Sequence, residues 1–241
     1  MNKKIKTLTL ELITSPLAPK YPNTFEGIGQ HTGHLNLPDL INQYLTQQAT
    51  SDADTQDATP STPQPFLSRT ENIKVFHSAR AIFCAPSNPS ATTGMHHETI
   101  RATPSWNRGE IPGPQYDCIF VSNGLNSDPG IGGLLVTRVL LFFSFTIDGE
   151  LHQCAVVHWF SAFGDQPDGD NGMWVVTPDY SGTRRNTSII HVNSILRAAH
   201  LLPIFDKGLL PHTINYTNSL DLFRGFYVNR YIDYHAYEAI F

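Results

Sequence analysis

The stretch 135–160, LVTRVLLFFSFTIDGELHQCAVVHWF, decides the fold. Side chains of an extended chain alternate between two faces, and Val139, Leu141, Phe143, Phe145 and Ile147 form one apolar row of odd positions. Leu140 and Phe142 are apolar as well, so the spacing predicts a central strand over 135–147, covered on both faces. Asp148-Gly149 separates this run from a second β pattern, the signal for a two-residue hairpin with a type I′ turn. LHQCAVVHWF, residues 151–160, is then the antiparallel partner.

The composition agrees with a sheet protein. Of 241 residues 40% are hydrophobic, and 14 Phe, 9 Tyr and 3 Trp stand beside a charged fraction of only 15%, against about 25% in ordinary soluble domains. Rings and β-branched groups suit a pleated, half-buried surface. The formal charge of −5 argues against a protein whose main task is gripping phosphate backbone, because that affinity comes from Lys and Arg releasing counterions. The three cysteines, Cys84, Cys118 and Cys154, are odd in number and widely spaced, which reads as buried thiols in a reducing, intracellular compartment. No secretory leader is visible, since Met1-Asn2-Lys3-Lys4 runs into Thr and Glu. The longest apolar run, Val139 to Phe145, is too short to span a bilayer.

Outward from the hairpin, further strands are predicted over 5–13, 73–84, 98–103, 115–122 and 173–177. Residues 188–204 fit either a bent strand or a short helix. Asp39 to Gln48 reads as an amphipathic helix with Leu40, Ile41, Tyr44 and Leu45 on one side. Ser219 is a candidate N-cap for a helix through Tyr227, with Leu222, Phe223 and Phe226 inward. Ala49 to Pro65 has no large apolar residue and cannot offset its ordering entropy by burial. The expected organisation is a small N-terminal remnant (1–48), a disordered linker (49–70) and a β-rich domain (71–241). The expected fold class is mainly β (α+β): an antiparallel barrel-like or strongly bent sheet with a C-terminal helix.

Each candidate site has a structural alternative. Cys154 and His158 share a strand face, but four residues of strand span about 13 Å, too far for two ligands about 2.0–2.3 Å from one zinc. His96-His97-Glu98 sits in a Gly- and Thr-rich loop and lacks the second His one helical turn on. Cys118 with His191 or His200 lacks the context of a nucleophile relay, and no Gly-x-Ser-x-Gly elbow occurs. Gly130-Ile131-Gly132-Gly133 is a turn cluster without the ending of a phosphate loop. The strongest binding candidate is the group Trp159, Phe160, Asp165, Asp168, Asp170 and Trp174. Aromatics beside carboxylates can accept a basic or methylated side chain through cation–π and charge contacts. The alternative is a solvated hairpin loop with its tryptophans in the core. No metal and no cofactor is expected.

Four blocks carry a family resemblance: SARAIFCAPSNPSATTGMHHETIRATPSWNRG (78–109), RVLLFFSFTIDGELHQCAVVHWFSAFGDQPDGDNGMWVVTPD (138–179), IIHVNSILRAAHLLPIF (189–205) and SLDLFRGFYVNRYIDYHAYEAIF (219–241). In this order they resemble the C-terminal region of fungal transposases of the Plavaka type, within the Kyakuja–Dileera–Zisupton group. LPDLINQYLTQQ (37–48) is weakly similar to a segment just upstream. The resemblance implies a transposable-element-derived accessory or binding domain without chemistry of its own, because the nuclease core of that group lies upstream of every block. Met1 falls where such a protein is still mid-chain, so a truncated copy, a partial gene model or a piece put to separate use is expected. A protein or chromatin partner, a weak DNA contact through a parent transposase and a nuclear location are what the resemblance implies; no membrane and no small-molecule substrate are expected. A strand pair ending in Trp159-Phe160, followed by an acidic loop, a short strand and a hydrophobic return, also resembles bromo-adjacent homology domains, β-barrel modules that bind chromatin or other proteins. That pattern implies a protein-tail reader as the second function, with a small hydrolase or metal enzyme third.

Overall fold

The computed structural model describes residues 7–13, 21–53, 70–84, 95–107, 112–122, 131, 133–205, 212–233 and 236–237. The N-terminal elements are β1 (Thr7–Ile13), α1 (Phe25–Thr32) and α2 (Leu37–Ala53). Next come β2 (Thr70–Phe76), β3 (Ser78–Cys84), β4 (Met95–Asn107), β5 (Pro112–Tyr116) and β6 (Cys118–Ser122). The long hairpin is β7 (Leu134–Ile147) and β8 (Glu150–Ala162), followed by β9 (Val175–Pro178), β10 (Tyr180–Ser181), β11 (Arg184–Arg185) and β12 (Thr187–His191). After a 3-10 turn at Val192–Ser194 the chain ends in β13 (Ile195–Ala199), β14 (Leu201–Pro203), α3 (Ser219–Leu222) and β15 (Phe226–Val228). The protein is mainly β, as its sequence predicts.

The hairpin is where the sequence places it. Asp148 and Gly149 both have positive φ, 51° and 84°, the pair of left-handed conformations that a type I′ turn needs. Every residue of β7 from Val136 to Phe145 is buried, so both faces are covered. The row of odd positions is corrected at one point: Val139 pairs with Val157 but Leu141 pairs with Val156, a β-bulge at Leu140. One extra residue exchanges the faces. Val139 therefore lies with Phe142 on one face, while Leu141, Phe143, Phe145 and Ile147 line the other.

Around this hairpin the ladder nearly closes. β13 pairs with β6, β6 with β7, β7 with β8, β8 with β9, β9 with β15, and β15 with β14, all antiparallel. β14 continues β13 after the single residue His200, so the last strand leads back to the first and the sheet is barrel-like and nearly closed. Its interior holds Cys118, Phe120, Ile131, Val136, Phe160, Trp174, Val176, Ala199, Phe226 and Val228. A second sheet, in the order β1-β3-β4-β5, lies on the outer face of this wall. Between them are Leu10, Ala79, Ala81, Ile100 and Ala102 from the small sheet, and Ile119, Val139, Phe142, Val157 and Ile195 from the barrel.

Two residues carry the chain between the layers. The predicted strand 73–84 is broken at His77: β2 pairs with β7, whereas β3 pairs with β1 and β4. The predicted strand 115–122 is broken likewise at Asp117, whose N–H donates to the Arg101 carbonyl and whose carbonyl accepts from Val139 N–H. Its carboxylate accepts the Arg101 N–H at 2.8 Å. Buried Arg197 ties the layers further, reaching Asp233 at 2.6 Å and Glu98 at 3.3 Å, while Glu98 also accepts the Ala198 N–H at 2.8 Å.

The C-terminal helix predicted through Tyr227 is a single turn. Phe223 is already extended, with φ −93° and ψ 149°, and Phe226 pairs with Val176 as a barrel strand. Leu222 is exposed rather than inward, whereas Phe226 is fully buried. At the other end, α2 runs past residue 48 to Ala53, since no Gly or Pro interrupts the stretch; residues 54–69 of the expected linker lie outside the described residues. The sequence reading omits α1, which Thr24 caps through a bond from Gly27 N–H at 3.2 Å and Gly33 closes with φ 80°.

Both helices share a core with the hairpin. Phe25, Ile28, Leu37, Ile41, Tyr44 and Leu45 pack against Leu141, Phe143, Phe145, Cys154 and Val156. Phe25 meets Phe143 and Phe145 edge-on, with centroids 6.2 and 5.5 Å apart. Replacing Phe25 by Ala removes this wedge, and an expected loss of about 3 kcal/mol is read from urea denaturation of the whole chain; an unchanged midpoint would mean that the helices do not contribute to the common core.

Candidate functional site

The six residues singled out in the sequence divide in the structure. Phe160 and Trp174 enter the barrel interior, 4% and 7% exposed. Phe160 meets Phe226 edge-on at 5.8 Å. Trp159 points to the opposite face, as strand alternation requires, and its indole Nε1 donates to Ser188 Oγ at 2.7 Å. The three rings thus do not form one open wall. The cation over Phe160 is the chain's own: the Arg185 guanidinium carbon lies 5.0 Å from that ring centroid and 5.4 Å from Tyr180, within cation–π range.

Asp168 organises its loop. Its Oδ1 accepts the N–H groups of Asp170 and Asn171 at 3.1 and 3.2 Å, an Asx turn of the usual kind. Tyr227 O–H donates to its Oδ2 at 3.4 Å. The chain after β15 grips the same loop: Arg230 Nη1 donates to the Gly172 carbonyl at 3.2 Å and Tyr231 O–H to the Asn171 carbonyl at 2.9 Å. Asp165 and Asp170 face solvent, as does Phe163, 68% exposed.

A polar cleft of about 220 Å³ opens at the barrel seam where β13 gives way to β14. Gln115, Tyr116, Asp117, Cys118, Arg138, His200, Tyr216, Thr217 and Ser219 are among the residues that line it. Tyr216 and Thr217 press on β5: a Cβ at Gly113 would stand 2.6 Å from Thr217 Cγ2 and 2.8 Å from Tyr216 Oη, so only glycine admits this close approach without a shift. Arg138 is 7% exposed. Its Nη1 donates to Asp221 Oδ1 at 2.8 Å, its guanidinium lies over the Tyr116 ring at 5.5 Å, and its Nε has no partner among the described residues.

Arg138 pairs across the ladder with His158. Burial, with the positive charges of Arg185, Arg138 and His34 adding to it, pushes the His158 imidazole down to about 4. It is neutral at pH 7. Burial pushes the Cys118 thiol up to about 12, Arg138 offsetting only part of the shift, and Cys154 likewise up to about 12. A thiol held protonated is a poor nucleophile and a poor metal ligand. Cys118 and His200 do line the same cleft, but no hydrogen bond joins them among the described contacts, and His191 is turned to the Asn193 N–H at 3.2 Å.

The remaining sequence candidates are accounted for by packing. Cys154 lies in the helix–hairpin core, and its side chain is hydrogen-bonded to Tyr44. His96-His97-Glu98 is corrected from loop to strand: β4 begins at Met95 and these residues pair with Phe83, Ile82 and Ala81. Among the described residues no group of three or more His, Cys, Asp or Glu could hold a metal ion. Gly130 and Gly132 lie outside the described residues, as does the side chain of Cys84; Gly133 is in a turn with φ 79°. No helix among the described residues is long and apolar enough to cross a membrane.

Two outcomes follow from these contacts. Because the folded His158 binds its proton more weakly than the ordinary 6.5, the unfolded chain protonates first as pH falls. Its contribution, about 1–2 kcal/mol after allowing for its solvent contact, is complete above pH 6.5 and is lost as pH falls toward 4. His34, His77 and His191 are lowered in the same direction, so His158→Gln should flatten, not abolish, the pH dependence of unfolding between those limits. Asp168→Ala should cost about 1 kcal/mol and speed amide hydrogen exchange at Asp170 and Asn171; unchanged exchange there would show that the turn does not depend on the carboxylate. No protein-family model matches the chain, and no curated protein matches it.

Proposed function

We propose that the chain is a non-catalytic accessory or binding domain derived from the C-terminal part of a fungal Plavaka-type transposase, with no nuclease core in these 241 residues. The observation that carries this reading is where the four resembling blocks fall. They supply β3 and β4 (78–109), the hairpin with β9 (138–179), β12 to β14 (189–205), and α3 with β15 (219–241). These elements pair with one another and fill common cores.

The chemistry of the side chains supports a binding role over a catalytic one. The two cysteines whose side chains are described carry protonated, buried thiols, and the half-buried His158 is neutral but enclosed by two guanidiniums. A net charge of −5 favours a protein partner over the DNA backbone. The accessory role is tested by mixing the purified chain with the nuclease-core region of a Plavaka-type transposase, and by incubating the chain alone with supercoiled DNA and Mg²⁺ or Mn²⁺. Co-elution with the core and no nicking by the chain alone are expected. Independent elution overturns the accessory role, and metal-dependent nicking that disappears in a His200→Ala variant overturns the non-catalytic one.

A further inference from the structure

We propose that the cleft at the barrel seam binds a small oxyanion group, carboxylate or phosphate, which Arg138 takes in exchange for the Asp221 carboxylate. The proposal deepens the binding-domain reading by naming the ligand chemistry of one site. It begins from an imbalance of charge. Arg138 is nine-tenths buried, yet of the five N–H groups that a guanidinium presents only one, on Nη1, has a hydrogen-bond partner among the described residues. That partner is weakly held. Asp221 is 58% exposed and stands on the one-turn α3, whose cap residue Asn218 makes no side-chain capping bond. Asp221 can turn into water, and an anion that takes its place keeps the buried guanidinium paired.

Arg138 is the one Lys or Arg side chain among the residues that line the cleft, and Arg185 adds a second positive charge nearby. Beyond its ring contacts with Phe160 and Tyr180, Arg185 makes one long side-chain hydrogen bond, from Nη2 to the Trp159 carbonyl at 3.5 Å, and no carboxylate pairs with it among the described residues. Both guanidiniums face His158, which stays neutral in their field. Asp117, the carboxylate that lines the cleft, is held away by its own partners: it accepts the Arg101 N–H and Gln115 Nε2 at 2.9 Å, and the Arg101 guanidinium stands 4.0 Å from it. Asp221 is the carboxylate that pairs with Arg138, and the positive charge of Arg185 stands in the same neighbourhood. An entering oxyanion meets a planar fork suited to bidentate contact, backed by the Tyr116 ring. Ser219 also lines the cleft, whereas the Thr217 hydroxyl already donates to Asn215 Oδ1. The volume of about 220 Å³ is below that of sites for drug-sized molecules, so the cleft accepts one anionic group on a short stem.

The test is a titration of the full chain with inorganic phosphate and, separately, succinate at constant ionic strength, followed by the arginine Nε–Hε resonances. The Arg138 resonance, assigned by its loss in Arg138→Lys, is expected to shift and saturate by about 10 mM anion. Arg138→Lys should abolish saturable binding. Asp221→Asn, checked by its urea midpoint to be folded, should tighten it by about fivefold, because the internal competitor is removed and Arg138 is left without its carboxylate. Saturation by phosphate alone or by succinate alone supports the site and identifies which anion it takes. A response that never saturates, binding that survives Arg138→Lys, or equal affinity in Asp221→Asn overturns it. Such a failure leaves the accessory-domain reading standing, since co-elution with the nuclease core is measured separately.

Discussion

Everything in this fold depends on one antiparallel pairing, that of β7 with β8. The two strands contribute to three separate apolar clusters. Val136 and Phe160 point into the barrel, Val139, Phe142, Ala155 and Val157 face the four-stranded sheet, and Phe143, Phe145, Cys154 and Val156 receive the helices. A sheet face is apolar on one side in most antiparallel proteins; here both faces are used, and one of them twice along its length. The bulge at Leu140 lets the ladder do this. Without the extra residue, the side chains beyond it would exchange faces, and the phenylalanines that meet α1 would turn toward the small sheet.

Much of this was legible because the signals are local. The turn Asp148-Gly149 needs positive φ at two adjacent positions, and few dipeptides supply that. Continuous burial over 139–143 follows from an unbroken apolar run, whereas the burial of Thr137, Arg138 and Ser144 on the same strand does not. The Leu140 bulge was not legible, because in a stretch where every residue is apolar no polar position marks the change of face. The breaks at His77 and Asp117 were hidden for a related reason: each flank reads as strand, and only the partners, β7 on one side and β1 or β4 on the other, tell them apart. At the C-terminus, spacing of Leu222, Phe223 and Phe226 suggests a helix, and tertiary pairing with Val176 overrides it. The omitted α1 did leave a trace, Thr24 as a cap and Gly33 as a stop, but only eight residues separate them, too few for a periodicity to stand out.

The site shows the same division between local and distant information. Asp168 in its loop could be read from neighbours two and three residues away. The basic layer could not. Arg138 and Asp221 are 83 residues apart in sequence, and Arg185 reaches Phe160 from another strand. A search for aromatic rings near carboxylates finds the right stretch of chain but misses that the cation is already present. Burial of Phe160 and Trp174 then leaves the interior of the barrel to packing and its seam to polar groups.

The order of strands around the barrel has a consequence for how the chain acquires it. β15, residues 226–228, inserts between β9 and β14 and supplies the last two ladders of the ring. During synthesis from the N-terminus, the hairpin and the small sheet can form while those two flanks remain open. An open flank is a row of free N–H and C=O groups ready to accept any extended strand. The nascent domain therefore passes through a stage in which its own partner strand has not yet arrived. Contacts this distant in sequence form slowly, so the interval is one of exposure to other chains. Shortness is the feature that limits the hazard: β9 has four residues and β14 three, which offers a foreign strand few bonds to hold.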